Sequence, residues 1–90
     1  MKIEYFALLR DVTGKKEEEW HEPAATVGEL LRALVARYGA DFARWVSKDG
    51  QFGKLAIIMV NGRDVRGMQH LDTPLASTDT VVIFPPVGGG

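Results

Sequence analysis

The chain has no cysteine in its 90 residues, so disulfides, thiolate metal ligands and a cysteine nucleophile are excluded. It also lacks a charge bias, with 11 basic residues against 12 acidic ones. That balance implies neither nucleic acid nor an anionic membrane as a partner. No apolar run approaches the roughly 20 residues of a membrane span, and Met1-Lys2-Ile3-Glu4 does not resemble a signal peptide. A cytoplasmic protein is the expectation. His21 and His70 lie far apart with no third ligand at metal spacing, so no metal site is expected. Ser47, Ser77 and the threonines lack the context of a nucleophile. Lys2, Lys15, Lys16, Lys48 and Lys54 are spread along the chain as solvating surface residues. These absences argue against an enzyme acting on its own.

What the chain does have is apolar residues, at 46% enough for the core of one small domain. Ile3, Tyr5 and Ala7 alternate with Phe6 and Leu8, which predicts a strand over Lys2 to Leu9. Arg10 to Gly14 reads as a loop, and Lys16 to Glu22 as the return strand of a hairpin. Its run Glu17-Glu18-Glu19 fits a solvated sheet edge better than a metal site. Thr26 and Glu29 have capping-box spacing. Val27, Leu30, Leu31, Leu34, Val35 and Tyr38 then recur with helical period up to Gly39, a C-terminal stop. Asp41 to Val46 predicts a further helical turn, and Ser47 to Lys54 a loop. Leu55 to Val60 is strand-like, Asn61-Gly62 is a tight-turn dipeptide, and Arg63 to Val65 would return. Leu71 to Leu75 is a loop, and Thr80 to Phe84 the last strand. The expected class is α+β, a mixed sheet of four or five strands with one main helix on one face.

The end of the chain is its most distinctive part. Thr80-Val81-Val82-Ile83-Phe84 runs directly into Pro85-Pro86-Val87-Gly88-Gly89-Gly90. The prolines cannot donate to a ladder and turn the chain off the sheet. Gly88 and Gly89 let bare backbone thread a channel too narrow for a Cβ. We therefore divide the chain into a domain, 1–84, and a tail, 85–90, whose reacting group is the carboxylate of Gly90. No helix follows the glycines, so they are not a phosphate cradle. Six residues reach at most roughly 20 Å.

Phe6-Ala7 with Arg10-Asp11 and Gly14, then Thr26-Val27 with Leu30-Leu31, form a first group of matching residues. Val60-Asn61-Gly62, Asp72-Thr73-Pro74-Leu75, Asp79 and Phe84 to Gly90 form the second. In order and spacing the chain resembles the ubiquitin-like β-grasp sulfur carriers of the MoaD/ThiS superfamily, and within them the MoaD-like small subunit of molybdopterin synthase. The stretch from Asp41 to Lys54 is longer than in the shortest members, and leans toward a subgroup that also contains protein modifiers. The resemblance implies that a ubiquitin-activating-type (MoeB-like) adenylyltransferase uses ATP to adenylate Gly90. A persulfide sulfur would displace AMP, leaving a thiocarboxylate. The large (MoaE-like) subunit of molybdopterin synthase would pass that sulfur to a pterin precursor of the molybdenum or tungsten cofactor. No bound cofactor is implied. Conjugation of Gly90 to lysines of target proteins, or sulfur delivery for thiamine or cysteine synthesis, would use the same tail.

The same resemblance makes the first and last strands central neighbours. Strand parity then puts Phe6 and Phe84 together on the face away from the helix, at the root of the tail. With Pro85, Pro86 and Val87 they form the expected partner interface. The competing expectation is that the segment around Trp45 covers this patch internally.

Overall fold

The structure is a computed structural model that describes residues 1–48, 51–52 and 56–85. The expected alternation holds in β1, Lys2–Tyr5, where Ile3 and Tyr5 are buried. It holds again in the last strand, β7, Thr80–Phe84, where Val81 and Ile83 are buried. These strands lie side by side and parallel, with Ile3 opposite Val81 and Tyr5 opposite Ile83. The return strand β2, Glu17–Glu19, pairs antiparallel with β1. On the other side β5, Ile57–Val60, is antiparallel to β7, and the short β6, Arg63–Asp64, follows it. The five-stranded sheet therefore has the order β2-β1-β7-β5-β6. Asn61 and Gly62 form the β5–β6 turn with φ of 51° and 84°. Both values lie in the left-handed region that makes Asn-Gly a hairpin signal.

The main helix α2, Val27–Tyr38, covers one face. Thr26 Oγ1 accepts the amide of Glu29 at 3.2 Å, while the Glu29 carboxylate accepts the amide of Ala25 at 3.3 Å. The capping box is thus present, with its return bond displaced one residue outward. Gly39, at φ 81°, ends the helix and donates to the Val35 carbonyl. Val27, Leu30, Leu31 and Leu34 are fully buried in one cluster with Ile3, Tyr5, Ile58, Val81 and Ile83. Each such side chain contributes about 1.5–3 kcal/mol by leaving water. Helix α3, Ala40–Val46, adds Phe42 and Val46 to this core.

Three expectations need correction. The first strand stops at Tyr5 rather than Leu9, and Leu8–Thr13 forms a short helix, α1, instead of strand and loop. Ala7 breaks the strand with φ 52° and ψ −130°. Leu9 and Thr13, four residues apart, then share the buried side of the helix, which Gly14 closes in the left-handed conformation. Secondly, the stretch expected as one loop carries a two-stranded hairpin, β3 (Ser47–Lys48) with β4 (Gln51–Phe52); the rest of it lies outside the described residues. Thirdly, Val65 does not extend β6. It is buried and opens a 3-10 turn, Val65–Gly67, capped by the Asp64 carboxylate on the Arg66 amide.

Candidate functional site

Because β1 and β7 are parallel, both end at the same edge of the sheet. The Phe6 amide donates to the Ile83 carbonyl at 3.2 Å. The rings of Phe6 and Phe84 stack with centroids 4.6 Å apart and planes 19° from parallel. Both are half-buried. The Arg10 guanidinium lies 4.8 Å from the Phe6 centroid, and its Nε donates to the Tyr5 carbonyl at 2.8 Å. The neighbouring β5 continues the apolar surface. Ile57, opposite Phe84, is 38% exposed, and half-buried Met59 stands opposite half-buried Val82.

The structure therefore brings Phe6 and Phe84 together on one face. Trp45 packs against the buried core, and among the described residues it makes no aromatic contact with this pair. Pro85 is buried at the end of β7. Pro86, Val87, Gly88, Gly89 and Gly90 lie outside the described residues. No group of three potential metal ligands occurs among the described residues. An open cavity of about 340 Å³ is lined partly by Met1, Trp20 and Ser77. It lies where β1 and β7 begin, at the other end of these strands from Phe6 and Phe84.

One polar site had no signal in the sequence. Glu18, expected on a solvated edge between Glu17 and Glu19, has a side chain only 7% exposed. Its Oε2 accepts the hydroxyls of Tyr5 and Tyr38, both at 2.5 Å, and its Oε1 accepts Lys15 Nζ at 3.2 Å. Burial opposes the charge of Glu18, but the two hydroxyls and Lys15 outweigh it and hold the carboxyl below its usual range. Burial, with Glu18 beside it, pushes Tyr5 well up, so its hydroxyl stays a donor. This cluster ties β2 to β1 and to the C-terminal end of α2. It holds the sheet edge in place.

The model of the ThiS family matches residues 3–90. The chain belongs to the ThiS family. It is 36% identical over 91 residues to small archaeal modifier protein 3 of Haloferax volcanii, covering 100% of this chain and 98% of that protein. It superposes on a chain of the BexX/CysO complex of Amycolatopsis orientalis with a TM-score of 0.79 and 29% identity, over 99% of this chain and 98% of that one. It also superposes on a Pyrococcus furiosus protein described as molybdopterin converting factor, subunit 1. There the TM-score is 0.72 and the identity 32%, over 96% of this chain and 95% of the other. The domain is a ubiquitin-like β-grasp of the sulfur-carrier and modifier kind.

Proposed function

We propose that this ThiS-family chain is the sulfur-carrying subunit of a molybdopterin synthase, and that Gly90 is the carboxyl terminus that carries the sulfur. The observation that supports it most is the anchorage of the tail. The central strand β7 leads into buried Pro85, and the five residues from there to Gly90 can span at most about 18 Å. Such an arm delivers a terminal carboxylate to a partner's site while the domain fixes its direction, which is where the gain from orientation lies.

A carboxylate is a poor electrophile. Attack of a Gly90 carboxylate oxygen on the α-phosphorus of ATP expels pyrophosphate and makes an acyl-adenylate. The terminal sulfur of a donor persulfide then attacks the carbonyl carbon and expels AMP, forming an acyl disulfide. A thiol cleaves the S–S bond, leaving the thiocarboxylate on Gly90 and a disulfide on the partner side. The chain has no cysteine, so every thiol in this sequence belongs to a partner. An adenylyltransferase would activate the tail, and a large subunit would hold the pterin precursor. The likeness to molybdopterin converting factor subunit 1 supports this destination for the sulfur.

The full-length likeness to a small archaeal modifier protein favours a second reading, in which a lysine ε-amine attacks the activated Gly90 and forms an isopeptide. Disrupting the gene in the native host separates the two. Loss of molybdopterin with unchanged protein conjugates supports the carrier, whereas loss of conjugates with normal molybdopterin supports the modifier.

A further inference from the structure

Trp20 is 2% exposed, and among the described residues its indole Nε1 is a buried donor with no hydrogen-bond partner. A buried N–H without an acceptor has given up its bond to water and gained nothing in return, so such groups are rare in native folds. The same side chain forms part of the wall of the cavity where β1 and β7 begin, about 340 Å³ in volume. That volume is at the lower end of the range of small-molecule sites. Met1, Pro23, Ala24 and Ala25 make much of the wall apolar, and His21 and Ser77 stand on it at exposed positions. Glu22, the carboxylate on this wall, is already held by Arg37 Nη2 at 2.6 Å. Its charge is thus balanced within the protein. An apolar space of this size beside one unused donor selects an apolar body carrying one acceptor.

We propose that this cavity binds a small uncharged ring compound bearing a carbonyl oxygen, an aromatic amide being the simplest case, and that the oxygen accepts the hydrogen bond of Trp20 Nε1. The apolar wall covers the ring. A lone water at the N–H would need two to four polar partners, which this wall does not offer. The Trp20 backbone is pinned, its N–H donating to the Met1 carbonyl at 2.7 Å, so the side chain moves alone. Its indole N–H is closed to solvent in this structure, and binding therefore includes a tilt of the ring that presents this edge to the cavity. The Arg37 guanidinium, 4.2 Å from the ring centroid on a side chain 45% exposed, follows that tilt. The site lies at the other end of β1 and β7 from Phe6 and Phe84, so it stands apart from the reading of Gly90.

The test is titration of the 15N-labelled full chain with benzamide, followed by NMR at the two indole N–H resonances, with Trp45 as the internal reference. The Trp20 indole proton should move downfield and saturate as it gains an acceptor, while Trp45 stays in place. Benzene, the same ring without the carbonyl, should bind about fivefold more weakly, the scale of one net hydrogen bond. Benzoate, which brings a charge to a wall with no free counter-charge, should bind more weakly than benzamide. Ala25→Leu, at an exposed position on the wall, should abolish binding with the thermal midpoint unchanged. Trp20→Phe should bind benzamide and benzene alike; if that variant does not fold, the comparison of probes on the wild-type chain decides the hydrogen bond. No saturable shift of Trp20 up to the solubility limit of benzamide overturns the proposal, and so does a wild-type response in Ala25→Leu. Benzene binding as tightly as benzamide overturns the role of Trp20 Nε1, and tighter binding of benzoate overturns the uncharged class.

Discussion

Replacing Glu18 by alanine tests the buried polar cluster at the sheet edge. Tyr5 is fully buried, and its hydroxyl donates to Glu18. Without that acceptor the hydroxyl is orphaned in the core, at about 1–3 kcal/mol. Tyr38 is half-buried and can turn to water, so its lost bond adds about 1 kcal/mol or less. Lys15 and Arg37 are about half exposed and contribute little as ion pairs. The expected loss is about 2–3 kcal/mol, or roughly 10–20 °C in the melting midpoint of a domain this size. Urea unfolding followed by tryptophan fluorescence measures it. Adding Tyr5→Phe to Glu18→Ala should restore part of the loss, because it removes the orphaned donor. The pH dependence has a definite sign. The folded carboxyl titrates below its unfolded value, so its contribution is complete above about pH 4.3 and disappears as pH falls through the folded pKa. A Glu18→Ala protein within about 0.5 kcal/mol of wild type at pH 7, or a deficit equally large at pH 3, refutes this reasoning.

Thr26→Ala should cost about 1 kcal/mol in urea unfolding, because it leaves the Glu29 amide without its cap. Leu34→Ala, at a fully buried position, should cost about 2–5 kcal/mol in the same assay. Phe6→Ala and Phe84→Ala should each cost less stability than Leu34→Ala, yet weaken binding to the activating enzyme by more than about 1 kcal/mol in calorimetry. Gly89→Val should leave the melting midpoint unchanged and suppress adenylation, since a β-branched residue cannot follow bare backbone through a close channel.

The parts of the fold that were legible in the sequence depend on near neighbours. Ile3 and Tyr5, like Val81 and Ile83, announce their strands because a period of two survives wherever one face is buried. Thr26 with Glu29, and Asn61 with Gly62, encode a cap and a turn within four residues. The helix Leu8–Thr13 was hidden because Ala7 and Leu8 continue the alternation of β1. Only the four-residue spacing of Leu9 and Thr13 marked it, and the change of direction depends on a backbone conformation that alanine does not advertise. Glu18 was hidden for another reason. Its partners Tyr5 and Tyr38 are 13 and 20 residues away, and between two exposed glutamates nothing distinguishes it. For the candidate site, strand parity put Phe6 and Phe84 on one face, and the resemblance to the β-grasp carriers made their strands neighbours. Neither could reveal the turn that follows.

The central claim is that Gly90 is the reacting group, and its most direct test is intact-mass analysis after incubation with ATP, the adenylating enzyme and a persulfide donor. The full chain should gain the mass of one oxygen-to-sulfur exchange, and fragmentation should place it on Gly90. A chain lacking Gly89 and Gly90 should fold normally and gain nothing. Sulfur placed elsewhere on the full chain, or a truncated chain that is converted and supports cofactor synthesis at the wild-type rate, would contradict the account.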